Sequence, residues 1–277
     1  MASNPVPQVT IILPTYNRVR LLSRAIESVR RQTFTDWELF IIDDASTDET
    51  SKALREWQVR DPRIKVFHNE INQYPDISKI LNQGLVLARS QYIARLDDDD
   101  WWCDSDKLKK QVDFLENHPE YVVVGTGVIV VNGAGRELYR YLKNETDVAI
   151  RRRALFANPF THPAVLYRRE EAVRVGGYGD WHYAEDWALW LELGKSGKFY
   201  NLPQYLTCYT MAGQNKSWIH QRLQTKTVLE IIKKHRSAYP NFWPARLLGL
   251  GAYFYTFLPK AFRDLWHPLL VRFKRTI

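Results

Sequence analysis

Gln91-Tyr92-Ile93-Ala94-Arg95-Leu96-Asp97-Asp98-Asp99-Asp100-Trp101-Trp102 is a strand-like run that ends in four adjacent carboxylates. Working outward, the same form recurs upstream. Residues 8–13 (QVTIIL), 37–42 (WELFII) and 63–68 (RIKVFH) are short apolar runs of the kind that form buried strands. Pro14 is expected to end the first of them. Between the runs lie helical patterns over 19–32, 46–60 and 77–89. In the first, Val19, Leu22, Ile26 and Val29 share one face. Ser46-Thr47-Asp48-Glu49 fits a capping box with Ser46 as the cap. Strand and helix alternate with short connections, so the pattern predicts a parallel sheet covered by helices. Ligands of such sheets bind beyond the carboxyl ends of the strands. Three polar clusters fall there: Thr15-Tyr16-Asn17-Arg18, Asp43-Asp44 and Asp97–Asp100.

Four neighbouring carboxylates repel one another, which favours a bound cation. Magnesium and manganese prefer oxygen ligands. Magnesium commonly takes one or two carboxylates and completes its shell with water and substrate phosphates. The competing reading is an acidic loop that caps the helix beginning at Lys107.

Beyond residue 117 the rhythm changes. Residues 121–131 are strand-like, Asn132–Gly135 forms a hairpin turn into 138–142, and 161–167 reads as another strand. Gly176–Gly179 is a loop, 185–195 a helix, and 199–209 strand-like but broken by Pro203. Residues 121–210 complete the first domain. Residues 221–236 read as a basic amphipathic helix. Residues 247–258 (LLGLGAYFYTFL) hold only 12 uncharged residues, too few to span a bilayer.

The chain has 277 residues, enough for one domain of ordinary to large size or a domain with an appendage. Its composition, 45% apolar and 25% charged, is that of a globular protein. Cys103 and Cys208 make neither a disulfide framework nor a four-ligand zinc site, so a reducing compartment is expected. No signal peptide pattern is visible at the N-terminus. The net charge of +8 is unevenly placed. Residues 1–220 carry 28 Lys and Arg against 29 Asp and Glu, whereas residues 221–277 carry 11 against 2. Nine aromatics lie among the basic groups of residues 241–277, Trp243, Phe254 and Trp266 with them. That is too apolar for a flexible nucleic-acid arm. It suits helices in a membrane interface, aromatics at headgroup level and cations toward anionic lipid. The alternatives are docking on the first domain or on a second subunit.

Residues 9–18 (VTIILPTYNR), 25–50 (AIESVRRQTFTDWELFIIDDASTDET), 81–102 (LNQGLVLARSQYIARLDDDDWW), 176–178 (GGY), 185–191 (EDWALWL) and 202–206 (LPQYL) together resemble the family 2 glycosyltransferases of GT-A fold. The resemblance spans nearly all of residues 9–210. It implies a Rossmann-like, mostly parallel central sheet flanked by helices, with a C-terminal helical appendage. Residues 1–215 would be the catalytic domain, a nucleotide-sugar half to about 105 and an acceptor half from about 106. Residues 216–277 would be the appendage. It further implies transfer of a sugar, with inversion, from a nucleotide-diphosphate sugar to a glycan or lipid-linked hydroxyl. A UDP-sugar is the default donor, with dTDP- and GDP-sugars open. Pro14, Thr15, Tyr16, Arg18, Asp43, Asp44, Asp97 and Asp98 would hold the donor. Tyr16 would pack on the base and Asp44 accept from its ring N–H. Asp97 and Asp99 match the DxD positions, with Asp99 as the direct ligand of Mn2+ or Mg2+. Asp186 matches the general base, with Glu185 as the alternative. His162, Trp181 and Trp187 would face the acceptor. The enzyme would act in polysaccharide or lipopolysaccharide biosynthesis, peripheral on the cytoplasmic face of a membrane.

Several positions depart from the family pattern. Gln73 and Ser90 stand where glycine is usual, and Cys103-Asp104-Ser105-Asp106 replaces a proline. Thr210 and Ala212 replace the Arg and His of a Tyr-Arg-x-His segment, so metal binding would rest on Asp99, phosphates and water, or recruit His220. Three other readings compete. A catalytically degenerate scaffold of the same fold would explain the altered 209–212 segment. A nucleotidyltransferase would want a glycine-rich loop after the first strand, which is absent. A nucleic-acid binder would bind with steep salt dependence, and no recognition motif is present.

Overall fold

The computed structural model describes residues 6–211 and 221–258. The elements run β1 (Val9–Thr15), α1 (Val19–Arg30), β2 (Trp37–Asp43), α2 (Thr50–Arg60), β3 (Ile64–His68), α3 (Ile77–Leu87), β4 (Tyr92–Arg95) and β5 (Trp101–Trp102). They continue with α4 (Lys107–Asn117), β6 (Tyr121–Val131), β7 (Glu137–Tyr141), α5 (Asp147–Arg153), β8 (Leu166–Arg168), α6 (Arg169–Arg174), α7 (Glu185–Leu193) and β9 (Lys198–Thr210). Two helices, α8 (Gln221–Lys234) and α9 (Phe242–Tyr255), follow.

All nine strands join one sheet in the order β3-β2-β1-β4-β8-β6-β9-β5, with β7 added on β6. β1 pairs in parallel with both β2 and β4, and β2 with β3. β8 runs antiparallel between β4 and β6. The chain moves from β1 outward to β3 and then returns to the other side of β1 for β4. That reversal opens a crevice beyond the carboxyl ends of β1 and β4.

β1 and β2 read as unbroken apolar runs because helices cover both faces of the sheet. Ile11, Leu13, Leu39 and Ile41 pack with α1, α2 and α4 on one face. Ile12, Phe40 and Ile42 pack with α3 and α7 on the other. Ile231, Ile232, Tyr239 and Ala245 join this second core, so α8 and α9 dock on the α7 side.

Four expectations are corrected. Pro14 lies inside β1, where it pairs only with Ile42, because β4 has already ended at Ile12 in the register. α2 begins at Thr50, not Ser46, and has no side-chain cap bond. The Ser46 hydroxyl instead accepts from the Asn17 N–H at 2.9 Å. Residues 162–164 form a 3-10 turn and only Leu166–Arg168 is strand, since the fixed φ of Pro163 suits the turn. β9 runs through Pro203, which is absorbed where the register against β6 skips from Leu202 to Tyr205. The short helices α5 and α6 were not anticipated.

Candidate active site

The β1–α1 loop is tied to the β2–α2 loop by Asn17. Its backbone is left-handed, φ 53°, and its Oδ1 accepts from the Thr47 and Asp48 N–H groups. This fixes where Tyr16, exposed, and Arg18 point. Pro14 and Thr15 are buried, with Thr15 beside Asp98.

Asp43 is consumed by its own neighbourhood. It accepts from the Ser46 N–H at 3.1 Å, the Ser51 hydroxyl at 2.6 Å and His68 Nδ1 at 3.0 Å. Burial works to raise its pKa, yet these bonds outweigh it and leave the carboxyl below its ordinary value. Asp44 accepts from Asn69 Nδ2 at 2.9 Å and from the Gln73 N–H, which reaches both oxygens. Its Oδ2 keeps room for one more donor. Gln73 does through its backbone what its position requires, so glycine is not needed there.

The Asp97–Asp100 loop packs against three arginines, with Asp97, Asp98 and Asp99 half-buried and Asp100 buried. Arg95, 1% exposed, donates to Asp97 Oδ1 at 2.7 Å and to the carbonyls of Ile12 and Leu96. Arg18 Nε stands 3.9 Å from Asp98. Arg24 donates to the Asp99 carbonyl and lies 3.6 Å over the Trp101 ring. Burial, then the neighbouring Asp99 charge, pushes Asp98 up to about 7. Burial and the Asp97 charge likewise raise Asp99. Asp100 Oδ1 accepts from the Thr210 N–H at 2.6 Å, while its buried Oδ2 has no hydrogen-bond partner among the described residues. The Thr210 hydroxyl donates to the Asp99 carbonyl. Thr210 therefore docks the end of β9 on the acidic loop, a role the sequence comparison with Tyr-Arg-x-His did not suggest. Ala212 and His220 lie outside the described residues.

Glu185 and Asp186 occupy the first turn of α7, facing the acidic loop across the crevice. The Asp97 charge raises both. Burial, then the Asp186 charge, pushes Glu185 up to about 8, so it holds its proton at neutral pH. Burial also raises Asp186. Three groups oppose that rise: the Trp187 N–H at 2.7 Å, Asn158 Nδ2 at 2.7 Å and the Lys143 charge. Both adjacent carboxyls are thus raised, and at Asp186 the bonds from Trp187 and Asn158 work against the rise.

His162 has no hydrogen bond to this pair among the described residues. Its Nε2 accepts from Arg95 Nε at 3.1 Å and lies 3.0 Å from the Tyr178 hydroxyl. Burial and the Arg95 charge keep it neutral. Trp181 packs at the edge of the α7-side core with Lys234 over its ring. Trp187 is buried, donates to the Ala154 carbonyl at 2.8 Å and lines a cavity of about 710 Å³ that also contains Asp186. Sequence reasoning placed Asn17 in a ligand-end cluster without a role, and missed Arg95, Lys143 and Asn158, of which only Arg95 stood inside a recognised motif.

Asp98 and Asp99, destabilised as anions by burial and by neighbouring carboxylates, and Asp100 Oδ2, unpartnered among the described residues, suit a site completed by a cation. Among the described residues, no group of three or more His, Cys, Asp or Glu could hold a metal by protein ligands alone.

The family model for Glycosyl transferase family 2 matches residues 10–175. The chain is 35% identical over 208 residues to the putative glycosyltransferase EpsE of Bacillus subtilis (strain 168), covering 73% of each chain. Its fold is similar to that of S. aureus TarS 1–349 solved in complex with UDP-GlcNAc, with a TM-score of 0.71 at 19% identity over 95% of this chain and 75% of that one. It is also similar to the mannosyltransferase PcManGT of Pyrobaculum calidifontis solved with GDP-Man and Mn2+, with a TM-score of 0.65 at 19% identity over 98% and 83%.

Proposed function

The chain belongs to glycosyl transferase family 2 and is a glycosyltransferase, and from that premise we propose that it is an inverting enzyme with Asp186 as general base. The donor is a nucleotide-diphosphate sugar and the acceptor a hydroxyl of a glycan or lipid-linked sugar. The observation that carries this reading is the orientation of Asp186 in the first turn of α7: Asn158 Nδ2 donates to its Oδ2 and the Trp187 N–H to its Oδ1, both at 2.7 Å.

Asp186 takes the proton of the acceptor hydroxyl as that oxygen attacks the anomeric carbon. Attack from the face opposite the leaving diphosphate inverts the configuration. Tyr16 and Asp44 hold the base, and Arg18 and Asp98 line the ribose and diphosphate. Asp97 and Asp99 hold Mn2+ or Mg2+, which when bound offsets charge on the leaving diphosphate. Support for a metal-bound nucleotide donor comes from the orphaned Asp100 oxygen and from the nucleotide-sugar complexes of the two structural neighbours, one with Mn2+.

Among the described residues no helix is long and apolar enough to cross a membrane. α9 exposes Trp243, Leu247 and Phe254 around Arg246, which supports contact with an anionic membrane surface. The basic and aromatic residues of 259–277 lie outside the described residues.

The test is calorimetric titration with UDP, GDP, dTDP and CDP, each with Mn2+ and with EDTA. Tight binding of one nucleotide, lost in EDTA, is expected. No binding of any nucleotide would favour a degenerate scaffold.

A further inference from the structure

The chain's two cysteines, distant in sequence, meet where β5 pairs with β9. In that antiparallel register Trp101 stands opposite Cys208 and Trp102 opposite Thr207. The Cys103 N–H continues it, donating to the Leu206 carbonyl at 3.0 Å. Cys103 is therefore one diagonal step from Cys208, and alternation along the strands puts both side chains on the same face. Both thiols are free.

Their surroundings differ. Cys103 is exposed, and as a thiol its S–H donates to the Tyr205 carbonyl at 3.7 Å. Cys208 is 5% exposed. Its S–H reaches Cys103, and this bond, helped by the Arg140 charge, favours the Cys103 thiolate against the opposing effect of burial. The same bond, then burial, holds Cys208 as a thiol. An exposed thiol that ionises readily can attack, and a sheltered neighbour can then resolve the product.

The pair borders the acidic loop. Cys103 follows Asp100 by three residues, and Cys208 precedes Thr210 by two. The Thr210 N–H and hydroxyl hold Asp100 Oδ1 and the Asp99 carbonyl. Residues on a cross-strand diagonal typically stand about 7–8 Å apart, whereas a disulfide holds its Cα atoms about 4.4–6.8 Å apart. Closing the bond therefore draws β5 along β9 and strains the clasp that Thr210 makes on the loop.

We propose that Cys103 and Cys208 are a modification site for a low-molecular-weight disulfide, which converts them to a reversible internal disulfide that loosens the acidic loop and weakens donor binding. The Cys103 thiolate attacks one sulfur of the small disulfide, forming a mixed disulfide and releasing one thiolate. Cys208 then gives up its proton and attacks Cys103 Sγ, closing the internal bond and releasing the second thiolate. The protons lost by the two cysteines end on the two released thiols. Two protein thiols are oxidised and one small disulfide is reduced. Excess small thiol reverses both steps. The effect on the donor rests on the glycosyltransferase reading above; the bond itself does not.

The test equilibrates the full chain with oxidised or with reduced glutathione. Alkylation, digestion and mass spectrometry read the thiols, and calorimetry with UDP, GDP, dTDP and CDP in Mn2+ reads the donor site. Oxidised glutathione should give a linked Cys103–Cys208 peptide pair. Affinity for the bound nucleotide should fall by about tenfold, the factor carried by about one good hydrogen bond, and return with dithiothreitol. Cys103→Ser should keep the reduced-state affinity and lose the response. Cys208→Ala should stop at the mixed disulfide on Cys103. In the wild type, a lasting mixed disulfide or no reaction at Cys103 would overturn the proposal. So would an internal bond that leaves nucleotide affinity unchanged. If the reduced protein binds no nucleotide, the glycosyltransferase reading fails instead, while the linked peptide pair still decides the disulfide.

Discussion

Asn158 Nδ2 donates to Asp186 Oδ2 at 2.7 Å, across 28 residues of sequence. With the Trp187 N–H on Oδ1, this leaves the carboxylate one defined orientation and favours its charged form. A positioned general base is worth about 10²–10⁴ in rate. Asp186→Asn should lose turnover of that order while donor affinity changes less than about twofold. Asn158→Ala should lose about tenfold, a fraction of the same effect. It should also move the acid limb of the kcat/KM profile to higher pH, because a bond that lowers the Asp186 pKa is gone. Retained turnover in Asp186→Asn would remove it from the base role.

Glu185 gives a stability prediction with a definite sign. Its folded-state pKa is raised from 4.5 to about 8 by burial and the Asp186 charge. A raised carboxyl contributes stability that is fully present below pH 4.5 and is lost as pH rises toward 8. The wild type should therefore lose stability relative to Glu185→Gln across that window, at up to about 1.4 kcal/mol per pH unit. Urea denaturation of both proteins at pH 5, 6.5 and 8 checks this. A constant difference between them would show that Glu185 titrates normally.

The strands were legible because burial on both faces makes them continuous apolar runs, as in Ile11–Leu13 and Leu39–Ile42. The helix α4 was legible to the residue for the converse reason, a single buried stripe through Leu108, Val112 and Leu115. What escaped were features decided by tertiary partners. Ser46 has the composition of a cap but is claimed by Asn17. Thr210 looked like a lost ligand, yet its N–H and hydroxyl hold the acidic loop. Lys143 and Asn158 sit in unremarkable segments, and only the approach of α7 and of the C-terminal helices gives them a site. Asp43, prominent in its motif, spends its oxygens on Ser46, Ser51 and His68, so Asp43→Asn should lower stability more than it alters donor selectivity.

The acidic loop predicts a response to metal removal. Among the described residues, Asp100 Oδ2 is buried without a donor beside three further carboxylates. In EDTA, Asp100→Asn should melt above the wild type increasingly as pH rises, because burial and the Asp97 and Asp99 charges oppose ionisation of Asp100 while an amide Oδ1 still accepts from Thr210. Mn2+ with the cognate nucleotide should raise the wild-type Tm by mass action. It should raise that of Asp99→Ala much less. Calorimetric melting with and without metal reads both effects. An unchanged Tm increment in Asp99→Ala would place the metal elsewhere.

Membrane contact is best tested without truncation. Ala245 of α9 is buried in the same core as Ile231 and Ile232 of α8, so ending the chain near residue 240 would uncover apolar surface and confuse adsorption with misfolding. The exposed side of α9 is free of that problem. Trp243 and Phe254 are 69% and 65% exposed, and each large apolar side chain moved out of water contributes about 1.5–3 kcal/mol when fully buried. Trp243→Glu with Phe254→Glu should therefore reduce partitioning onto phosphatidylglycerol vesicles by at least about tenfold. Nucleotide affinity should stay the same. Binding should also weaken with salt and on phosphatidylcholine, as expected where cations meet anionic lipid. Equal sedimentation of wild type and double variant with anionic vesicles would show that this face of α9 does not meet the membrane.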